Sequence, residues 1–397
     1  MRILLFSTLY PSAARPNHGL FVEARLRQLL AHHPGIRARV VAPVPWFPSS
    51  APRFGEYAAF ARTPRRENRH GIDLEHPRYP LLPRVGMSSA PMLMALGAWA
   101  TLKRQAEDFD LIDAHYVYPD GVAAALLAGW LDKPFTVTAR GTDLNLIANY
   151  RLPAAQIRWA LGRAAACIGV SAALAERLRA CGAPAPRVHV LRNGVDGKLF
   201  APVAGARAAL GSGDSGPRLL TVGNLVPLKR QALAIRCLAL LRRLHPGAAL
   251  RIVGAGPELP RLRALAEAEG VLDAVHFVGA VPQAELAREY SAADAMLLPS
   301  EREGWPNVVL EALACGTPVV GARVGGVPEI LCEPGLGETV DEASPAAWAG
   351  AVQRVLDRAV PRARLREYAL AMGWQATSDG QRALFERAVA EHRVAAG

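Results

Sequence analysis

The chain has 397 residues, 51% of them apolar, a length that suits two domains of about 200 residues, each able to bury its own core. Its five cysteines (Cys167, Cys181, Cys237, Cys315, Cys332) are scattered with no C-x-x-C, which argues against a disulfide framework or zinc site and fits a reducing compartment. All of the +11 net charge lies in the first half, where residues 1–198 carry 25 Lys/Arg and 14 Asp/Glu, whereas residues 199–397 carry 21 of each.

In chain order, the opening MRILLFSTLYP has too short an apolar run for a signal segment and reads as a buried strand over 2–7. An amphipathic helix follows over 20–31 and a strand over 38–42. Residues 43–90 read as irregular. Within them Arg53, Arg62, Arg65, Arg66, Arg69, Arg78 and Arg84 interleave with Phe54, Tyr57, Phe60, Tyr79, Leu81 and Leu82. That mixture suggests attraction of residues 53–84 to an anionic membrane surface or an acidic acceptor. A solvated arginine-rich loop explains it equally well. Nucleic acid is not expected as a partner, because no reading motif accompanies the charge. Helices over 92–107, 121–131, 154–163 and 172–180 then alternate with strands over 111–114, 135–138, 167–170 and 188–191. No apolar stretch reaches the roughly 20 residues of a spanning helix. The expected location is therefore the cytoplasm, at most peripheral at the inner face of the membrane.

A run rich in small residues, 201–217, opens the second half. Strands are predicted over 218–222, 249–253, 275–278, 295–298 and 318–320. Helices fill the gaps at 231–244, 258–269, 283–291 and 307–314, and three more follow at 345–358, 361–372 and 375–394. Short apolar strands alternating with helices imply parallel sheets covered on both faces. The fold class is α/β, with two doubly wound Rossmann-like domains facing each other across a ligand cleft. The expected domains are 1–195 and 196–374, with a helix over 375–397 packing back toward the first.

Strand-end turns carry the chemistry. Gly223 ends one strand and Lys229 precedes the next helix, a pairing that suits close backbone approach and neutralisation of a diphosphate. Gly254 and Gly256 follow a second strand, and Gly279 a third. In PSEREGWPNVVLEALACGTPVVGARVGGVPEIL, Glu303 and Glu311 flank a strand-to-helix junction, with Pro306 at the expected first helical position. Free amides there suit phosphate, and a carboxylate suits sugar hydroxyls. Singly, each residue has a bland reading: a surface lysine, a helix-dipole partner, an ordinary helix carboxylate. The ordered set, each member after a strand, points to a nucleotide-sugar site.

The spacing of Glu303 and Glu311, with Pro299-Ser300 before and Ala314–Val320 and Gly325-Gly326 after, resembles the E-x7-E motif of the retaining glycosyltransferases of family 4, which have the GT-B fold. Arg192-Asn193-Gly194-Val195-Asp196 resembles their hinge. The first half is similar to teichuronic-acid-type transferases of cell-surface polysaccharide assembly, through Asn17-His18-Gly19, Val44-Pro45-Trp46, His115–Gly121 and Arg140–Asn145.

The resemblance implies roles residue by residue. Lys229, Glu303 and His115 are the expected catalytic group, with Lys229 on the diphosphate, Glu303 on donor-sugar hydroxyls and His115 at the donor sugar or reacting centre. Gly19, Gly223, Asn224, Arg230, Gly254, Val278, Gly279, Gly304, Trp305, Asn307, Val308 and Glu311 complete the donor site, Glu311 on the ribose. Arg140 and Asp143 are expected at the acceptor, with a helix N-cap as the plainer reading of Asp143. Two positions depart from the family: Asn224 stands where an arginine is usual and Arg230 where a glycine is. No D-x-D triad follows a strand, so neither metal nor other cofactor is expected. The implied reaction moves a sugar from a nucleotide donor to a glycan or lipid-linked glycan. An epimerase on the same plan, needing no acceptor, and a non-catalytic module binding anionic lipid or polymer remain the alternatives.

Overall fold

The computed structural model describes residues 1–81, 86–210 and 216–396. Leu82 and Arg84 of the basic stretch, and 211–215 of the small-residue run, lie outside the described residues. The chain divides into two compact units, Met1–Arg192 with Trp374–Gly397, and Asn193–Gly373.

The first unit holds strands β1 (Arg2–Phe6), β2 (Arg37–Val41), β3 (Val44–Pro45), β4 (Arg66–Arg69), β5 (Ile72–Glu75), β6 (Arg78–Tyr79), β7 (Leu111–His115), β8 (Phe135–Ala139), β9 (Ala166–Gly169) and β10 (Val188–Val190). Eight of them form one sheet in the order β10-β9-β8-β7-β1-β2-β5-β4, and β3 pairs with β6. Every pair is parallel except β4–β5. Ile3, Leu4, Leu5 and Phe6 are all buried, as a strand covered on both faces must be. Helices Leu20–His32 and Gln375–Ala396 share this core, with Phe385 and Ala388 packed beside Leu5, Val22 and Leu29.

Residues 43–90 are more regular than the sequence suggests. The β4–β5 hairpin turns at His70 and Gly71, both at positive φ, the geometry that tight hairpins favour. Its edge strand β4 reads RENR, so no apolar alternation announces it; polar residues suit an exposed sheet edge. Helix Glu56–Arg62 lies in the same stretch.

The second unit has strands β11 (Arg218–Val222), β12 (Ala249–Val253), β13 (Val275–Gly279), β14 (Ala295–Leu298), β15 (Val319–Ala322) and β16 (Gly337–Val340). They form one all-parallel sheet, β13-β12-β11-β14-β15-β16. β16, GETV, escaped the sequence reading because it carries a single apolar residue. Counted from β11, this is the doubly wound order 3-2-1-4-5-6, whose ligand crevice lies where the winding reverses, outside the carboxyl ends of β11 and β14. The first unit reverses in the same way between β1 and β7.

Candidate active site

In the second unit both sides of the reversal point carry a charged group. Lys229 follows β11 and Glu303 follows β14, 74 residues apart in the chain, and the Lys229 Nζ donates to Glu303 Oε1 at 2.6 Å. Backbone packing forces the approach. Gly254 has φ +145° and a Cβ there would stand 1.9 Å from the Gly223 carbonyl oxygen, so the turns after β11 and β12 close on each other only as glycines. Val278 is the extra residue of an irregularity where β13 slips against β12, and the Gly254 amide donates to Gly279 O at 2.8 Å. Asn224 is exposed, and its carbonyl accepts from Gln231 Nε2 at 3.0 Å.

Arg230 adopts φ 48°, ψ 37°, the left-handed conformation, which explains why a glycine is usual there. Its guanidinium faces Glu301 at 3.4 Å. Pro306 proves to be the N-cap of helix Asn307–Ala314, one position earlier than expected. The Trp305 indole is buried and donates to Asn193 O at 2.9 Å, so this side chain is a staple of the loop and leaves only the main chain of Gly304 and Trp305 to meet a donor. Asn307 Oδ1 accepts from Asn193 Nδ2 at 3.2 Å, and Val308 lies beside it in the first helical turn. The Gly325-Gly326 pair belongs to the same packing. A Cβ at Gly325 would stand 2.0 Å from Glu303 O, and one at Gly326 2.6 Å from the Trp305 ring.

Glu311 is buried, and the Tyr290 hydroxyl donates to its Oε2 at 2.8 Å. Burial pushes its carboxyl up to about 7, only partly offset by the Tyr290 hydrogen bond. Tyr290 itself was invisible to motif reading, since nothing in its local sequence ties it to Glu311.

In the first unit Gly19 caps helix Leu20–His32 at φ 72°, where a Cβ would meet the Leu9 carbonyl oxygen at 2.3 Å. His115 ends β7. Its Nε2 donates to Asp113 Oδ2 at 2.8 Å, Asp113 Oδ1 accepts from Thr136 Oγ1 at 2.9 Å, and the Arg140 guanidinium donates to His115 Nδ1. Arg140 also stacks 5.1 Å from the Phe21 ring centre. The imidazole is 1% exposed, and burial pulls its pKa down to about 4, so it is neutral near pH 7. With both ring nitrogens occupied, His115 acts in this structure as a link that orients Arg140. Asp113 could have been anticipated, because residues two apart on a strand share a face.

Asp143 departs further from expectation. It is 0% exposed, and its carboxylate accepts from the amides of Val117 at 2.8 Å, Gly141 at 2.7 Å, Leu144 at 3.1 Å and Arg140 at 3.2 Å. The Val117 bond ties the loop after β8 to the loop after β7, the other three hold the β8 loop itself, and the buried carboxylate is taken up by the backbone. Asp143 is a structural anchor, and Arg140 alone remains of the expected acceptor pair. Among the described residues no cluster of His, Cys, Asp and Glu is placed to hold a metal ion, and no helix is long and apolar enough to cross a membrane.

The model described as Glycosyl transferases group 1 matches residues 205–372, and that described as Glycosyltransferase Family 4 matches residues 35–198. The D-inositol 3-phosphate glycosyltransferase of Acidothermus cellulolyticus is 40% identical over 230 residues, which are 54% of this chain and 51% of that protein. The chain thus spans about half the length of that relative. The Frankia alni protein of the same description is 34% identical over 316 residues, 72% of this chain and 76% of its own. Among solved structures, sucrose-phosphate synthase from Thermosynechococcus elongatus has a TM-score of 0.77 at 23% identity, covering 98% of this chain and 99% of that one. Anabaena HepE in complex with UDP has a TM-score of 0.74 at 19% identity, covering 98% and 100%. These structural likenesses establish the fold, and the longer sequence match establishes kinship: the chain belongs to the family 4 glycosyltransferases and shares their GT-B class, two Rossmann-like parallel sheets in tandem.

Proposed function

We propose that this chain is a retaining glycosyltransferase that moves a sugar from a nucleotide sugar to a glycan or lipid-linked glycan in cell-surface polysaccharide assembly, without a metal. The observation that carries the reading is the Lys229–Glu303 pair at the reversal point of the second sheet, 2.6 Å apart among glycine turns. A lysine and a glutamate that neutralise each other in this structure exchange partners when the donor enters. Lys229 takes the diphosphate and Glu303 the sugar hydroxyls, while the first-turn amides of Asn307 and Val308 face the anion. Glu311 meets the ribose with the oxygen that Tyr290 leaves over.

In the transfer step the bond between the anomeric carbon and the diphosphate oxygen breaks as the acceptor oxygen bonds to the same face. The acceptor proton passes to the departing phosphate oxygen. Lys229 stabilises the charge that accumulates on that oxygen, and electrostatic help of this kind is worth about 100-fold or more. Arg140, held by His115, faces the acceptor side. Because HepE structures hold UDP and UDP-glucose, UDP-glucose is the first donor to test. D-inositol 3-phosphate, named for the relatives, belongs beside polysaccharide fragments among the acceptors tested.

With the true donor and acceptor, Lys229→Ala and Glu303→Ala should each lower kcat/KM by about 100-fold or more while the protein stays folded. Unchanged kcat/KM in both variants would sink the site. Formation of an isomeric nucleotide sugar without any acceptor would favour an epimerase instead.

The proposal extends to location, at the inner face of the cytoplasmic membrane. Phe47, Phe54, Tyr57 and Phe60 form a chain of ring contacts at 5.2 to 6.0 Å, with the Arg53 guanidinium over Phe54. Trp46, Tyr57, Met92 and Leu96 of the same unit are exposed. Aromatic rings mixed with arginines suit the interface of an anionic bilayer.

A further inference from the structure

The first unit contains a cavity of about 330 Å³ to one side of its reversal point, outside the carboxyl ends of β1, β2 and β5. That size is at the low end of small-molecule sites. Leu9, Pro43, Pro45, Phe60, Tyr79 and Leu81 give it mainly apolar walls. Among the described residues one full charge lines it, Arg15, on the loop between β1 and helix Leu20–His32.

Among the described residues no carboxylate lies within ion-pair distance of Arg15, and Glu56 acts on it only from farther away. Its guanidinium lies 5.2 Å from the Phe60 ring centre and donates through Nη2 to His18 Nδ1 at 2.9 Å. His18 is pulled down to about 4 by burial and by Arg15 itself, so it accepts that bond as a neutral ring, with Nε2 set against Thr8 O at 3.2 Å. Burial also lowers the Arg15 pKa, the mark of a cation kept partly out of water. His76, the second histidine of the wall, is already engaged by Ala42 O at 3.0 Å and Glu67 at 2.7 Å, and burial raises the hydroxyls of Tyr10 and Tyr79, which also line the cavity, so they stay neutral. A half-buried cation that has no carboxylate partner among the described residues, in a mainly apolar lining, favours an anion as its partner.

We propose that this cavity binds the acceptor, and that the acceptor is an amphiphile: an apolar body seated between Phe60, Tyr79 and the proline-rich wall, ending in an anionic head group, phosphate or carboxylate, held by Arg15. The inference rests on the transferase reading and narrows its acceptor. The apolar walls continue outward through the Phe60–Tyr57 contact at 6.0 Å to the exposed aromatic residues, a route by which such a molecule enters from a lipid surface.

The test is calorimetric titration of the full chain with decyl phosphate, decanoate, decanol and inorganic phosphate, all below micelle formation. Either alkyl anion should bind at least about tenfold more tightly than decanol, and inorganic phosphate far more weakly. Arg15→Gln should abolish that advantage, Arg15→Lys should keep most of it, and Phe60→Ala should weaken all three alkyl probes. Equal binding of decanol and both alkyl anions, or equal binding of inorganic phosphate and decyl phosphate, overturns the proposal. An Arg15→Gln protein that keeps the full advantage does so too. The wild-type comparison decides the matter even if a variant fails to fold. Titration with UDP-glucose in parallel separates the two readings. UDP-glucose binding without alkyl-anion binding removes only the acceptor inference, and alkyl-anion binding with no binding of UDP-glucose or of the other common UDP-, GDP- and ADP-sugars titrated in turn removes the transferase reading.

Discussion

A carboxyl group enclosed by protein holds its proton longer than one in water, and Glu311 is such a group. Burial raises it from 4.5 to about 7. Between those values the folded chain keeps a proton that the unfolded chain has released, so this residue's contribution to stability falls as pH rises through that window and is level above it. Glu311→Gln keeps the shape and loses the titration. The difference between the variant's and the wild-type unfolding free energies should therefore rise in the variant's favour from about pH 4.5 to 7, by at most about 3 kcal/mol. Chemical denaturation across that range checks it, and a flat difference would remove the buried-carboxyl assignment. Residue identity told only part of this. The E-x7-E spacing was legible, but the Tyr290 hydroxyl that shares the carboxylate arrives from another helix. Asp143 makes the same point in reverse: its side chain looked available, and four backbone amides consume it.

Turns and the loops packed on them govern the next scale. The loop carrying Glu303 rests on Gly325, which has φ 52°, with the Glu303 carbonyl where a Cβ would stand. Gly325→Ala should therefore lower unfolding free energy by about 1–3 kcal/mol from backbone strain, with the clash adding to it. It should also weaken the thermal shift given by a nucleotide sugar, because the loop that presents Glu303 must move. Gly350→Ala, inside helix Pro345–Arg358, meets only the flexible end of Arg354 and should stabilise by roughly 0.5–1 kcal/mol. Differential scanning calorimetry of the pair distinguishes a packing glycine from an incidental one. Strands with apolar runs were legible from sequence within a residue or two. β4 and β16 were not, because an edge strand needs few apolar side chains.

For the molecule as a whole, the positive excess in residues 1–198 is a field with a direction of its own. Cosedimentation with vesicles containing anionic lipid should show binding that weakens with salt. Replacing Arg53 and Arg62 by alanine should weaken it roughly 30-fold, at about 1 kcal/mol per arginine. Neutral vesicles binding equally well, or no change in the double variant, would return the segment to a solvated loop.

The sequence by itself determined the alternation of strands and helices and the glycines at strand ends, since periodicity and turn chemistry are local properties of a few neighbouring residues. It also carried the spaced glutamates by which the family is recognised. Only the tertiary structure decided that β11 lies beside β14, which brings Lys229 and Glu303 together across 74 residues. It alone decided that His115 is sealed between Asp113 and Arg140, and that Arg15, with no carboxylate partner among the described residues, lines a mainly apolar cavity. Strand order, burial and charge pairing depend on segments far apart in the chain, and no window of neighbouring residues contains them.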